Sequence, residues 1–408
     1  MKRLFLLFTT SVLTTLSHGQ HMVYEENIRT LQVCLNDNPL LPPVLPLKGT
    51  STLNISWDEM SHDYHRYIYR LQHCTYDWQE TPDLFESDYL YGNNDLPVED
   101  YHTSFNTTQL YTHYSLRFPN TDTAVLLSGN YKLLIFDEDN MEEGPAIEVR
   151  FQVIEEGMRL SMHVSSNTDI DYNDKHQQVS LDLNYGSIGV TNPQQQIHVV
   201  VTQNRRQSRT ATNITPTIFK SNGLEWQHCR DLIFPAGNEY HKFEILDVNL
   251  SGMNVDCMRW SEPYYHAILW SNQVPINYLT NEDANGAFFP RNANQENNDI
   301  QSEYTYVHFT LQSPPLPQDV YVNGTWSNGE LAEECRMQYN ETYGCYDASI
   351  LLKQGYYNYQ YITADGATHS TMGDFWQTEN EYQSFVYYRD YTDRYDKIVA
   401  YARVHTGF

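Results

Sequence analysis

Alternation of apolar and polar side chains recurs along this chain, and its two-residue period is the feature that most constrains the fold. Successive side chains of a β-strand point to opposite faces, so an alternating run marks a strand with one buried face. The clearest runs cover residues 67–72, 148–153, 304–311 and 356–361, and the segment 197–201, which reads IHVVV, is rich in β-branched residues. Long windows with the 3.6-residue period of an amphipathic helix are absent from the sequence. The pattern predicts an all-β chain, and the frequent turn residues between runs favour β-sandwiches.

The composition excludes several functional classes. The 408 residues include 52 Asp and Glu against 25 Lys and Arg, which gives a formal net charge of −27. A chain with this balance cannot neutralise a phosphate backbone, so nucleic-acid binding is not expected. Electrostatic docking on anionic lipid is disfavoured for the same reason. The length predicts two or three domains.

The first 19 residues have the pattern of a secretory signal peptide. Lys2 and Arg3 precede an apolar run over residues 4–16, and small residues lead to Gly19. This arrangement predicts cleavage after Gly19 and a mature chain that starts at Gln20. No later apolar run approaches the 18 residues of a membrane span, so direct membrane insertion is not expected.

Three structural units are predicted for the mature chain. The first covers residues 20–157 and ends after the strand at 148–153. The second covers 158–302 and includes a polar, Asn-rich linker over 291–302 at its end. The third covers 303–408.

The six cysteines are compatible with either disulfides or buried thiols in an oxidising compartment. They are Cys34, Cys74, Cys229, Cys257, Cys335 and Cys345. Cys335 and Cys345 form the nearest pair, and the turn-like Asn340-Glu341 lies midway between them. These two cysteines are therefore the candidate disulfide, across a hairpin. No Cys-x-x-Cys motif indicates a zinc ribbon or a thioredoxin-type site.

Catalytic and metal-binding motifs are missing from the sequence. There is no P-loop, His-Glu-x-x-His motif, Rossmann fingerprint or Gly-x-Ser-x-Gly elbow. His62, His65 and His73 lie close together, but the alternation around them favours strand and loop histidines over metal ligands. The loop over 281–286 imitates the start of a calcium loop, yet Asn292 stands where the bidentate Glu belongs, so a turn is favoured. We expect no catalytic, cofactor or metal site.

The third unit resembles the early-set immunoglobulin-like domains related to glycogen-binding modules. The resemblance is carried by Tyr321-Val322-Asn323-Gly324-Thr325-Trp326 and by the later Gly-x-Tyr-x-Tyr-x-Tyr run over 355–361. It implies tandem immunoglobulin-like or early-set sandwiches as the architecture. Alternate tyrosines of the run lie on one face of the strand. That face is compatible either with a hydrophobic core or with an exposed platform that binds sugar.

Other segments, in order from about residue 24 to the C-terminus, resemble the type IX secretion system plug protein family. The segment over 67–78 reads YIYRLQHCTYDW and is similar to the family's Tyr-x-Tyr…His-Cys-Asn-x-Asp-Trp signature. Further matching segments are Ser104-Phe105-Asn106-Thr107, Tyr111-Thr112-His113-Tyr114, Pro119-Asn120, Leu127-Ser128-Gly129-Asn130-Tyr131, Gln177, Gln203-Asn204-Arg205, Gly237-Asn238-Glu239, Thr378-Glu379-Asn380-Glu381-Tyr382, Val386-Tyr387-Tyr388-Arg389 and Arg394-Tyr395-Asp396. The chain departs from the family with Thr75 in place of Asn and Trp57 in place of Phe.

The resemblance implies a non-enzymatic protein that seals the periplasmic opening of the type IX outer-membrane translocon barrel when no cargo is engaged. It implies a periplasmic location, peripherally associated with the outer membrane, and the barrel protein as partner. No cofactor, nucleic acid or small-molecule ligand is expected. Two alternatives remain open: a secreted carbohydrate-binding β protein, suggested by the aromatic content, and a secreted hydrolase with an unlisted pair of carboxylates.

Overall fold

The computed structural model describes residues 21–294 and 297–407, so the predicted signal peptide at 1–19 lies outside the described residues. The described chain consists mainly of β-strands in separate sheets, which confirms the predicted all-β sandwich fold. Its helices are short: α1 (Glu86–Tyr89), α2 (Pro193–Gln196), α3 (Asn298–Gln301) and the 3-10 turns Glu138–Glu143, Gln207–Arg209, Arg230–Leu232 and Glu333–Cys335. Within the described ranges, no helix is long and apolar enough to cross a membrane.

The strands follow one another through three sandwiches. The first sandwich contains β1 (Met22–Val23), β2 (Ile28–Leu35), β3 (Val44–Pro46), β4 (Leu53–Glu59), β5 (Tyr67–Cys74), β6 (Leu90–Gly92), β7 (Leu96–Pro97), β8 (Asp100–Thr103), β9 (Thr112–Phe118), β10 (Thr123–Val125), β11 (Gly129–Asp137) and β12 (Ile147–Ile154). The middle sandwich begins with β13 (Arg159–Ser165), β14 (His176–Asn184), β15 (Ile197–Gln203), β16 (Thr210–Ala211), β17 (Ile218–Lys220), β18 (Gly223–Trp226) and β19 (Ile233–Pro235).

The third sandwich contains β20 (His241–Ile245), β21 (Val255–Ser261), β22 (Tyr264–Leu269), β23 (Asn272–Gln273), β24 (Phe288–Pro290), β25 (Tyr304–Gln312), β26 (Val320–Asn323), β27 (Gln338–Asn340), β28 (Cys345–Lys353) and β29 (Gly355–Thr363). The last two strands, β30 (Glu381–Tyr388) and β31 (Lys397–His405), return to the middle sandwich.

The first sandwich packs the sheet β1-β12-β11-β5-β7 against the sheet β2-β4-β9-β8. Its core is aromatic because the inward positions of these alternating strands carry large rings. Trp57 stacks on Tyr114 at 5.4 Å and meets Tyr67 edge-on at 5.5 Å. Trp57 has its indole Nε1 buried without a hydrogen-bond partner in the described structure.

The middle sandwich packs the sheet β13-β14-β18-β17 against the sheet β16-β15-β30-β31. In the second of these sheets, Val199 and Val201 face the middle core, whereas Val200 faces Val44 of the first sandwich in a fourth, smaller core. Both faces of this sheet are thus buried, which explains why the consecutive residues Val199, Val200 and Val201 are all apolar rather than alternating with polar residues.

The third sandwich packs β20-β29-β24 against β21-β22-β25-β28-β27. Tyr357, Tyr359 and Tyr361 are buried in its core, where Tyr357 stacks on Phe243 at 5.1 Å. The Tyr-x-Tyr-x-Tyr run is therefore core and not an exposed platform.

Strand pairing connects residues on both sides of position 302. β15 pairs with β30 from Ile197↔Tyr388 to Gln203↔Tyr382, and β20 pairs with β29 from His241↔Tyr359 to Ile245↔Gly355. β22 also lies parallel to β25. The division into units at 20–157, 158–302 and 303–408 stays a prediction, and these sheets show that residues of the second and third predicted units share hydrogen-bonded strands.

Candidate functional site: the joints between sandwiches and an exposed apolar edge

A buried carboxylate joins the first sandwich to the third. Asp58 and His113 face each other across β4 and β9, and Tyr304 and Lys353 face each other across β25 and β28. Asp58 is fully buried and accepts hydrogen bonds from Lys353 Nζ and His113 Nδ1, each at 2.6 Å. The Tyr304 hydroxyl donates a third at 2.7 Å. Burial raises the pKa of Asp58, but Lys353 and His113 together bring it below its usual range.

The residues beside Tyr304 extend this joint. The Glu303 carboxylate accepts hydrogen bonds from the backbone N–H of Thr108 at 2.5 Å and of Gln109 at 3.1 Å. The Tyr111 hydroxyl donates to the Ser302 carbonyl at 2.9 Å. A loop of the first sandwich is therefore held by a carboxylate and a carbonyl at the start of β25.

A second joint connects the first and middle sandwiches. The Tyr387 hydroxyl, on β30, donates to Asn130 Oδ1 on β11 at 2.9 Å, and the amide of Asn130 donates to the Thr75 carbonyl at 2.9 Å. The backbone N–H of Tyr76 donates to Asp396 at 3.0 Å. Asn130 and Tyr387 are buried, so these bonds form away from solvent, where an unpaired polar group is costly.

A third joint connects the middle and third sandwiches. Arg206, which follows β15, is buried, and its Nε donates to Glu330 at 2.9 Å. One terminal nitrogen of the same guanidinium donates to the Gly366 carbonyl at 2.7 Å, and the Ser208 backbone N–H donates to Glu330 at 2.9 Å. The guanidinium thus ties two loops of the third sandwich to the turn after β15.

The segments that carry the family resemblance contribute heavily to these joints. Tyr76, Asn130, Tyr387 and Asp396 all come from segments quoted for the resemblance, and so does His113. The resemblance therefore marks how the sandwiches fit together. Sequence reasoning missed the partners Lys353, Glu303 and Glu330. The available signal was a charged residue at the edge of an apolar strand, as in the segment 348–353, which reads ASILLK.

The sequence-predicted site residues lie away from these joints or serve as structural groups. Cys335 and Cys345 are both buried in the third sandwich, and each is a free thiol, so their disulfide stays a prediction. The ladder pairs Asn340 with Cys345, which leaves Cys335 five residues from the position opposite Cys345. His73 is buried against Thr81 Oγ1 at 2.8 Å, and burial lowers its pKa to about 4.

No group of three His, Cys, Asp or Glu residues in the described chain is arranged to hold a metal ion. His62 contacts a neighbouring loop, where its Nε2 lies 3.1 Å from the Ser104 carbonyl oxygen. In the loop over 281–286, Asp283 accepts a hydrogen bond from the Asn285 backbone N–H at 2.7 Å, a local turn interaction.

Large apolar side chains are exposed along one part of the third sandwich, residues 250–279, which we call the apolar edge. They are Leu250, Met253, Trp260, Trp270, Ile276 and Leu279, and the exposed fraction reaches 91% at Ile276. β21 is also the edge strand of its sheet. The segment has only two carboxylates, Asp256 and Glu262, and one cation, Arg259. These residues share one stretch of the chain that carries few charges, and exposed large apolar residues with few charges among them are a feature of protein interaction surfaces.

Comparisons with known proteins agree with the resemblance. Residues 28–155, the first sandwich, match the family model described as type 9 secretion system plug protein 1st domain. The whole fold is similar to the crystal structure, at 2.30 Å resolution, of a hypothetical protein from Parabacteroides merdae ATCC 43184, with a TM-score of 0.91 and 34% sequence identity. That similarity covers 95% of this chain and 99% of the other. A search of curated proteins finds no match. The chain belongs to the type IX secretion system plug protein family.

Proposed function

We propose that this protein is a non-enzymatic periplasmic plug that seals the periplasmic opening of the type IX translocon barrel when no cargo occupies it. The observation that carries the proposal is the match of the first sandwich to the plug family's first domain, which associates the chain with type IX secretion and the cell envelope. This family is not a known enzyme family.

The joints support a sealing role because a seal must keep its shape. Asp58, Arg206 and Asn130 each tie one sandwich to another through buried hydrogen bonds. Opening any one joint would leave a buried charge or polar group without its partner, which is strongly unfavourable. The three sandwiches are therefore expected to enter and leave the barrel as one rigid body.

The apolar edge is the best candidate for the surface that binds the barrel. With a net charge of −27, the protein must dock through its least acidic surface or against a basic rim. The apolar edge has low charge and exposed Trp residues, which are enriched in protein interfaces. A basic rim on the barrel would add electrostatic attraction, so association would be faster at low ionic strength.

Deletion of the gene tests the sealing role. We expect the translocon to remain assembled and cargo export to continue, while cells become more sensitive to large antibiotics that an empty lumen admits. The barrel must be shown to be present and empty in the same strain. Unchanged permeability in that strain would reject the plug function.

Co-purification from detergent-solubilised outer membranes tests the seat. Ile276→Glu combined with Leu279→Glu should reduce recovery of the plug with the barrel, because two charges would have to be desolvated in the interface. Ile218→Glu is the matched control, since Ile218 is an exposed apolar residue of β17 in the middle sandwich. Equal recovery of both variants would exclude the apolar edge as the seat and leave the plug function itself to the deletion experiment.

A further inference from the structure

A small cavity lies where the three sandwiches meet. Its volume is about 90 Å³, and its lining comes from β2 of the first sandwich, the turn after β15 of the middle sandwich, and the loops around β24 and β26 of the third. Leu31, Val33 and Phe288 supply an apolar wall. Arg205, Tyr240 and Asn285 supply polar groups. Pockets with an apolar wall and a few convergent polar groups are typical small-molecule sites.

Arg205 gives the cavity a cation with unused donors. Its Nε lies 3.6 Å from Glu381, and its guanidinium makes no hydrogen bond within the described residues. Its charge acts on His21 at the cavity wall: burial, followed by Arg205 and Arg150, lowers the pKa of His21 to about 3. His21 is therefore neutral at physiological pH, and the nearby cations Arg205 and Arg150 favour this neutral form.

Two further polar groups of the cavity have unused hydrogen-bonding capacity. The Tyr240 hydroxyl accepts a hydrogen bond from Gln360 Nε2 at 3.0 Å, so its own proton is available to an acceptor. Asn285 Oδ1 is buried and has no hydrogen-bond partner in the described structure. A buried amide oxygen without a donor costs free energy, and such exceptions call for an unseen ligand or water.

We propose that this junction cavity binds a small carboxylate that also carries a hydroxyl or amino group. Arg205 and Tyr240 would donate to the carboxylate, and Asn285 Oδ1 would accept from the hydroxyl or amine. Benzene, with six heavy atoms, fits a cavity of about 150 Å³, so a cavity of about 90 Å³ fits a molecule of about four heavy atoms, close to the size of acetate or glycolate. This site does not depend on the plug function, and it departs from the sequence-based expectation of no small-molecule ligand.

Binding is tested on the purified protein by calorimetry and thermal unfolding, with glycolate, acetate and glycolamide as probes. Glycolate carries both groups, acetate lacks the hydroxyl, and glycolamide lacks the charge. We expect glycolate to bind at least tenfold more tightly than acetate and glycolamide not to bind detectably. Tm should rise with glycolate concentration, since a ligand that binds only the folded state stabilises it.

Two variants assign the contacts. Arg205→Gln should weaken the binding of both glycolate and acetate at least tenfold, whereas Asn285→Ala should weaken glycolate binding and leave acetate binding unchanged. Arg66→Gln is the control, because Arg66 is an exposed cation in the first sandwich paired with Glu138. Absence of glycolate binding to the wild-type protein, or equal loss in all three variants, would overturn the proposal. If Arg205→Gln does not fold, the contrast between glycolate and acetate binding in Asn285→Ala still decides it.

Discussion

Replacing Lys353 with Met is the most direct test of the joint between the first and third sandwiches. Lys353 is 1% exposed, donates to Asp58 and to the Asp299 carbonyl, each at 2.6 Å, and lies 4.3 Å from the ring centre of Tyr111. Met retains most of the apolar stem but removes the charge, so Asp58 would remain buried with only its two other donors. Removing one partner of a buried ion pair typically costs about 3–5 kcal/mol.

Urea denaturation followed by Trp fluorescence measures this cost. With a slope near 3 kcal/mol per molar urea, the midpoint should fall by roughly 1–1.7 M. The matched control is Arg66→Met, which removes an exposed pair, Arg66 with Glu138 at 2.8 Å, and should change the midpoint little.

A double variant separates the ion pair from general packing damage. Asp58→Asn with Lys353→Met removes both charges, so its cost should be clearly less than the sum of the two single variants. The depressed pKa of Asp58 sets the pH dependence. The stability that Asp58 contributes is present above its unfolded-state pKa of about 3.8 and is lost as pH falls through the lower folded-state pKa. If Lys353→Met costs less than about 1 kcal/mol, or the variants are additive, the joint is not held by this pair.

Three further predictions concern other parts of the molecule. Tyr387→Phe should destabilise the protein by about 1–3 kcal/mol, because it leaves the buried amide oxygen of Asn130 without a donor. Tyr391→Phe changes an exposed tyrosine and should have little effect in the same urea assay. Burial raises the pKa of Glu239 to about 7, so the stability of the protein should fall as pH rises from about 4.5 to 7. Glu239→Gln should remove that part of the pH dependence of Tm. An unchanged profile of Tm against pH in the variant would contradict the assignment. Non-reducing peptide mapping should show a linked peptide if Cys335 and Cys345 form the disulfide predicted from the sequence, whereas two alkylated free thiols, the state in the structure, would reject that pairing.

The strands and the fold class could be read from the sequence because alternation is a local property. Residues 148–153 and 304–311 were predicted as strands, and they lie in β12 and β25. A period of two leaves few other conformations for a chain segment with one buried face. The tyrosine run at 356–361 shows the limit of this reasoning, since alternation placed Tyr357, Tyr359 and Tyr361 on one face without saying whether that face meets a core or solvent.

Partners distant in sequence could not be predicted in this way. Alternation does not encode which strand lies beside which. The pairing of β30 with β15 therefore follows only from the tertiary structure, since Gln203 at the end of β15 and Glu381 at the start of β30 lie 178 residues apart in the chain. The sequence likewise gave no reason to pair Asp58 with Lys353. Each residue is charged, so each by itself would be predicted to be exposed to solvent.

The sequence by itself determined that this chain forms β-sandwiches, and its family segments pointed to type IX secretion. Only the tertiary structure decided what those segments do physically: Asn130 and Tyr387 meet, Asp58 receives its three donors, and Arg205, Tyr240 and Asn285 converge on one cavity. The reason is that strand formation depends on side chains two residues apart, whereas desolvation and hydrogen bonding at a joint depend on which surfaces come into contact after the sheets have formed.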